Sequence, residues 1–348
     1  MGAECVPPRL SSWPVSRDKA ADLAPLSEPQ AVLRGLTDAG LGNRSLGGER
    51  PTAASADCRK GKIVMYELIN RVPRDGGPVL RQNAAELGQG ERLEYLTFPG
   101  LAKTGLVRHL FTTRKGGVSE GEFASMNVSF TRGDDPERVS ENYRRLASVL
   151  GCRPEDMVAT HQTHTVNVRQ VTEADRGKGV TCPRDYEDVD GLVTDRPGIV
   201  LVVFVADCVP LYFVDPVHRA VGLAHSGWRG TAAGMGARMV RTMGERFGTR
   251  PEDLLAAIGP SICGACYEVS GDVAERFERY RTVVPGREPG KYQLDLWETN
   301  RQILLEAGVR ADRIEVTDLC TCCNSGYLFS HRASKGRRGA LGALLGLL

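Results

Sequence analysis

The run Ile199-Val-Leu-Val-Val-Phe-Val205 is seven consecutive apolar residues, five of them β-branched. A stretch this short, apolar at every position of the alternation, fits a strand covered on both faces, and such a strand demands a layered fold. It is not a membrane span, which takes roughly 18 to 20 apolar residues. No other run reaches that length, the terminal stretch 340–348 included.

Around this run, short strands alternate with helices, which predicts an α/β domain. The chain continues as Ala206-Asp-Cys-Val-Pro210, where proline is expected to stop the ladder. Residues 211–214 and 220–224, on either side of Asp215-Pro216, predict a hairpin that ends on His225-Ser-Gly-Trp-Arg-Gly230. Further strands are expected over 94–98, 107–113 and 254–258, and near Ile314 and Leu328. Helices are expected over 134–150, with an acidic cap, Pro136 in the first turn and Gly151 as the stop, and over 231–247, 273–281 and 295–307.

Residues 1–63 differ from all this. Pro, Ser, Ala, Gly and Arg dominate, aromatics are nearly absent and no period of 2 or 3.6 persists. This segment reads as a disordered tail or as the product of a misassigned start, Met65 being the alternative, and the working domain as 64–348.

Charge excludes some functions. Lys and Arg total 45 against 43 Asp and Glu, a formal net charge of +2, so no global field draws the chain to nucleic acid or to an anionic membrane. Small-molecule chemistry in a monomer or small homo-oligomer is the expectation. With no export signal, the ten cysteines are expected to be reduced, in a cytoplasmic protein. The six histidines contain no H-x-H pair, too few for several imidazole-rich copper centres.

Cys208 and His225 each follow a predicted strand, where open sheets place their chemistry. Upstream stands His161-Gln-Thr-His164. Its flanks read as strands, where positions i and i+3 face opposite ways, so one of the two histidines joins a given site. His164 is the choice and His161 the supporting neighbour. Two imidazoles and one thiolate suit Zn²⁺ with a fourth position left open; a metal-free Cys208–His225 nucleophile pair is the other reading of the same residues. Cys263-Gly-Ala-Cys266 and Cys320-Thr-Cys-Cys323 have the makings of a closed cluster, but the second knuckle is irregular, and buried free thiols are the simpler expectation.

Three basic spots could grip an anion: Arg114 in Thr113-Arg-Lys-Gly-Gly117, Arg229 in the glycine-rich turn before a helix, and Arg332 in Ser330-His-Arg332. None has the order of residues of a Walker loop.

Taken together, Phe111-Thr-Thr-Arg-Lys-Gly-Gly-Val-Ser119, Gln162-Thr-His164, Asp190-Gly-Leu-Val-Thr194, Ala206-Asp-Cys-Val-Pro210, Ala224-His-Ser-Gly-Trp-Arg-Gly230, Ile258-Gly-Pro260, Tyr267-Glu-Val269 and Phe329-Ser-His-Arg332 resemble the YfiH family, also called laccase-domain or polyphenol oxidase proteins. The resemblance implies a single layered α/β domain of the cytotoxic-necrotizing-factor cysteine-hydrolase type. It implies Zn²⁺ on His164, Cys208 and His225, with Cys208 and His225 catalytic, and phosphorolysis of purine nucleosides (adenosine, inosine, guanosine, methylthioadenosine) with possible adenosine deamination. Phosphate and nucleoside are then expected on Arg114, Asn127, Arg229 and Arg332. A peptidoglycan-precursor amidase and a purine-binding module without turnover are the alternatives. The family's closing Gly-Arg is matched only by Gly336-Arg337 or by Arg338.

Overall fold

The computed structural model describes residues 79–88 and 90–348; the reading of 1–63 as a tail or misassigned start lies outside the described residues. The architecture is two six-stranded sheets and a small three-stranded one. Edge to edge, the first sheet runs Arg81–Gly88, Glu91–Thr97, Val107–Thr112, Leu341–Leu347, Val200–Val205 and Met157–Ala159. The second runs Ile314–Val316, Leu255–Ile258, Val209–Asp215, Ala220–Ser226, Gly191–Thr194 and Val168–Gln170.

The apolar run explains the layers. In Val200–Val205, Leu201, Val203 and Val205 face a core shared with Tyr212, Val214, Val221 and Leu223 of the second sheet. Val200 and Val202 face the other way, onto Val139, Tyr143 and Leu146 of the helix Pro136–Leu150. On the far side of the second sheet, Leu211, Phe213 and Ile258 pack on Met239 and Met243 of the helix Met235–Phe247 and on Leu304 of the helix Leu296–Glu306. Two sheets face each other with helices outside, a four-layer α/β/β/α arrangement.

Several expectations are corrected. Pro210 lies inside the strand Val209–Asp215, paired with His225, and its carbonyl accepts from Gly259 N. The helix expected over 231–247 is two, Trp228–Ala232 and Met235–Phe247, broken where Gly234 takes φ 78°. The one expected over 273–281 is a short turn of α-helix, Gly271–Ala274, running into a 3₁₀ segment, Glu275–Tyr280. No strand forms at Leu328, which is buried in a turn-rich segment. Conversely, Leu341–Leu347, considered above only for its length, is a fully buried central strand between Val107–Thr112 and Val200–Val205. No helix among the described residues is long and apolar enough to cross a membrane.

Candidate metal centre

The chain passes from the first sheet to the second twice in this region. One passage joins Met157–Ala159 to Val168–Gln170, and the other joins Val200–Val205 to Val209–Asp215. His164 lies on the first passage and Cys208 on the second; His225 lies at the end of the neighbouring strand Ala220–Ser226. The three side chains converge, their ligand atoms all within 4.8 Å of one another.

Local chemistry fixes each one. Gln162 extends the ladder beyond Ala159 with its side chain, donating from Nε2 to Phe204 O (2.8 Å) and accepting from Phe204 N at Oε1 (2.7 Å). The carboxylate of Asp190, wholly buried, gathers the turn that follows: it accepts from Thr163 N (2.9 Å), His164 N (3.0 Å) and Thr165 N (3.2 Å). His164 itself holds φ 66°, a left-handed conformation that this carboxylate stabilises. The same carboxylate lies 2.8 Å from His225 Nδ1. A proton on Nδ1 bridges the two, which leaves Nε2 of His225 as the free nitrogen.

Asp207 anchors the second passage at φ 86°. Its carboxylate accepts from Thr321 Oγ1 (2.6 Å) and from Arg332 N (2.6 Å). Gly227 keeps the centre open, because a Cβ there would stand 3.0 Å from Cys208 Sγ and 3.0 Å from His164 Cδ2.

Burial opposes charge on Cys208, but His225 and His164 outweigh it and bring the thiol down to about 6. Burial likewise works against protonated His225, yet Cys208 and Asp190 lift it to about 9. Each partner thus favours the charged form of the other. Two imidazoles and one thiolate, with no fourth ligand in the group among the described residues, make a donor set that suits Zn²⁺ with an open position.

His161 stands apart from the group, paired in a bridge with Val189 and accepting from Asp188 N at Nδ1. His109 and His218 are likewise engaged elsewhere, with Phe98 N and Asp215. Among the described residues a single candidate group contains histidine, which leaves no second centre for a multicopper oxidase.

The basic residues divide. Arg229 lies exposed with its guanidinium 4.2 Å over the Trp228 ring. The helix it opens has five residues, too short for the anion seat expected of a longer one. Arg332 donates to Glu268 O (2.9 Å) and lies 5.4 Å over the Tyr267 ring. Tyr267, absent from the expected set of site residues, lies within electrostatic reach of Cys208, Asp207, Arg229 and Arg332. Arg338, named above only as an alternative to Arg337 for the family's closing arginine, is buried, its Nε has no partner among the described residues, and its charge acts on the Cys208 and Asp207 side. Burial and Arg132 push it down to about 10. Arg337, by contrast, points to solvent and pairs with Glu122.

Arg114 and Asn127 are spent on the protein itself. Arg114 donates to Ala124 O and Ser325 O and lies 4.7 Å over the Phe329 ring. It shares with Ser330 and Arg338 the lining of a cavity of about 150 Å³. Asn127, fully buried, donates to Ser129 O and Asp134 and accepts from Ser129 N and Ala340 N, which fastens the start of the C-terminal strand.

The chain is similar to known proteins over most of its described length. The family model described as multi-copper polyphenol oxidoreductase laccase matches residues 108–348. Over 244 residues the chain is 43% identical to the purine nucleoside phosphorylase YlmD of Geobacillus stearothermophilus, covering 68% of this chain and 88% of that protein. It is 36% identical over 229 residues to the adenosine deaminase RL5 of an unknown prokaryotic organism, covering 64% of this chain and 87% of the other. Among solved structures, the YfiH protein of Bacillus licheniformis superimposes with a TM-score of 0.69 at 37% identity, over 73% of this chain and 96% of that one.

Proposed function

The chain belongs to the YfiH family of polyphenol oxidoreductase laccase domains, and from that membership we propose that it is a purine nucleoside phosphorylase with adenosine deamination as a second activity, carried by residues 64–348. One observation carries the reading: His164, Cys208 and His225 converge from separate passages of the chain, with ligand atoms within 4.8 Å of one another. These three residues would hold Zn²⁺, which when bound supplies a Lewis acid with an open position.

The chain's own residues do the rest. Asp190 holds His225 in one tautomer, and Asp207 holds the backbone on which Cys208 sits. Arg229, Arg332 and Arg338 surround the centre with positive charge for the phosphate dianion, while the hydroxyl and ring of Tyr267 offer a surface for the nucleoside. Arg114 shapes the neighbouring cavity, and Asn127 fastens the start of the C-terminal strand. In phosphorolysis the bond from ribose C1′ to the purine nitrogen breaks, the purine leaves with the electron pair and takes up a proton, and a phosphate oxygen bonds to C1′. In deamination, water adds at C6 of adenine and ammonia departs. Phosphate and purine nucleosides are the small-molecule partners.

A second reading draws on the Cys208–His225–Asp190 arrangement, which is that of a cysteine hydrolase and supports kinship with the cytotoxic-necrotizing-factor type of fold. A chelator separates the two readings: phosphorolysis should vanish with Zn²⁺, and Cys208 should react with iodoacetamide only once the metal is gone. Activity that survives full metal removal would favour the hydrolase.

A further inference from the structure

Two turns that contact Asp207 carry a second group. The sulfurs of Cys263, Cys266, Cys320 and Cys323 all fall within 4.8 Å of one another, with Cys266 Sγ and Cys323 Sγ 3.1 Å apart. The irregular second knuckle resolves itself here, since the group uses Cys320 and Cys323 and leaves out Cys322. Two Cys-x₂-Cys turns thus face each other, held in register by a bridge between Ser261 and Cys320.

Backbone amides point at the group. Cys263 N donates to Cys320 Sγ (3.2 Å), and Cys323 N turns back to the same sulfur (3.5 Å). Cys263 and Cys320 are buried, and four sulfur donors with no histidine or carboxylate make a closed, soft ligand set. A tetrahedral site with Zn–S of ~2.3 Å spaces its sulfurs about 3.8 Å apart, inside the observed envelope.

We propose that Cys263, Cys266, Cys320 and Cys323 bind a structural Zn²⁺, separate from the His–Cys–His centre. Both cysteine turns also grip Asp207. Ile262 N, next to Cys263, donates to Asp207 O (3.0 Å), and Thr321, between Cys320 and Cys323, donates its hydroxyl to Asp207 Oδ1. The four-sulfur zinc pins these turns and with them the left-handed Asp207 that presents Cys208.

The test is metal stoichiometry by elemental mass spectrometry on protein purified under reducing conditions. Wild type should carry two equivalents of zinc, His164→Ala one, and Cys323→Ser one. The cobalt-loaded His164→Ala protein should show a thiolate-to-cobalt charge-transfer band with the intensity of four thiolates, where the His–Cys–His centre contributes that of one. Wild type needs no variant to fold: a single equivalent there, or a Cys266–Cys323 disulfide in non-reducing peptide maps, overturns the proposal. Iron in place of zinc overturns the assignment of the metal.

Discussion

Gly227→Ala separates the geometry of the metal centre from the stability of the fold. Gly227 has φ −65° and ψ 176°, a conformation open to any residue, so alanine adds no backbone strain. By restricting the unfolded chain it would on its own stabilise by about 0.4–1 kcal/mol. The added methyl, however, stands 3.0 Å from Cys208 Sγ and 3.0 Å from His164 Cδ2. Ordinary non-bonded contacts are ~3.5–4.0 Å, so the sulfur, the imidazole or both must retreat by about 0.5–1 Å. Metal sites tolerate ligand displacements of only ~0.2 Å. Losing an orienting partner alone typically costs about 10–100-fold in metal affinity, and a displaced ligand belongs at the upper end, about 2.8 kcal/mol at 1.4 kcal/mol per decade. The assay is competition with a chromophoric chelator, with thermal unfolding of the metal-stripped protein alongside. Zinc affinity at the centre should fall about 100-fold while the apo midpoint moves by no more than ~2–4 °C, the shift that 1 kcal/mol gives in a domain of comparable size. Wild-type affinity in this variant would refute the claim that these three residues hold the metal.

Two further perturbations follow from buried groups. Arg338→Met should raise KM for phosphate about 10–100-fold, the worth of a hydrogen bond to a charged group, and leave zinc content unchanged; an unchanged KM would remove Arg338 from the phosphate site. His109 is buried and accepts from Phe98 N at Nε2 (2.8 Å), and burial holds its pKa at about 4 against an ordinary 6.5. Between these values the unfolded chain binds more protons than the folded one, so the contribution is full above pH 6.5 and lost as pH falls toward 4, by up to about 3 kcal/mol. His109→Gln, which keeps an acceptor but does not titrate, should flatten that part of the urea-stability profile; an unaltered slope would show that His109 does not set it.

What the sequence reveals here depends on how local the cause is. Val200–Val205 is legible because every position is apolar, the direct result of cores on both faces. Leu341–Leu347 is not, because two glycines and a terminal position disguise a strand whose partners lie far away in sequence, and Gly346 is there for space, since a Cβ would meet Val200 Cγ2 at 2.9 Å. Cys208 and His225 could be picked out as reactive residues after strands. His164 could be preferred over His161, although the reason differs: the segment is a crossover between sheets, and Asp190 turns it. Asp190 itself carries no local mark of its role, since the amides it gathers at 163–165 lie more than twenty residues upstream. Arg338 and Arg337 could not be separated for a similar reason, as only the packed structure distinguishes the buried residue from its exposed neighbour.

The most direct test of the proposed activity is incubation of the zinc-loaded protein with adenosine, with and without inorganic phosphate, resolving adenine, inosine and ribose 1-phosphate, with Cys208→Ala as the control. The account predicts adenine and ribose 1-phosphate in equal amounts only when phosphate is present, inosine in either case, and neither product from the variant. Adenine released without phosphate, or either activity retained in Cys208→Ala, would contradict it.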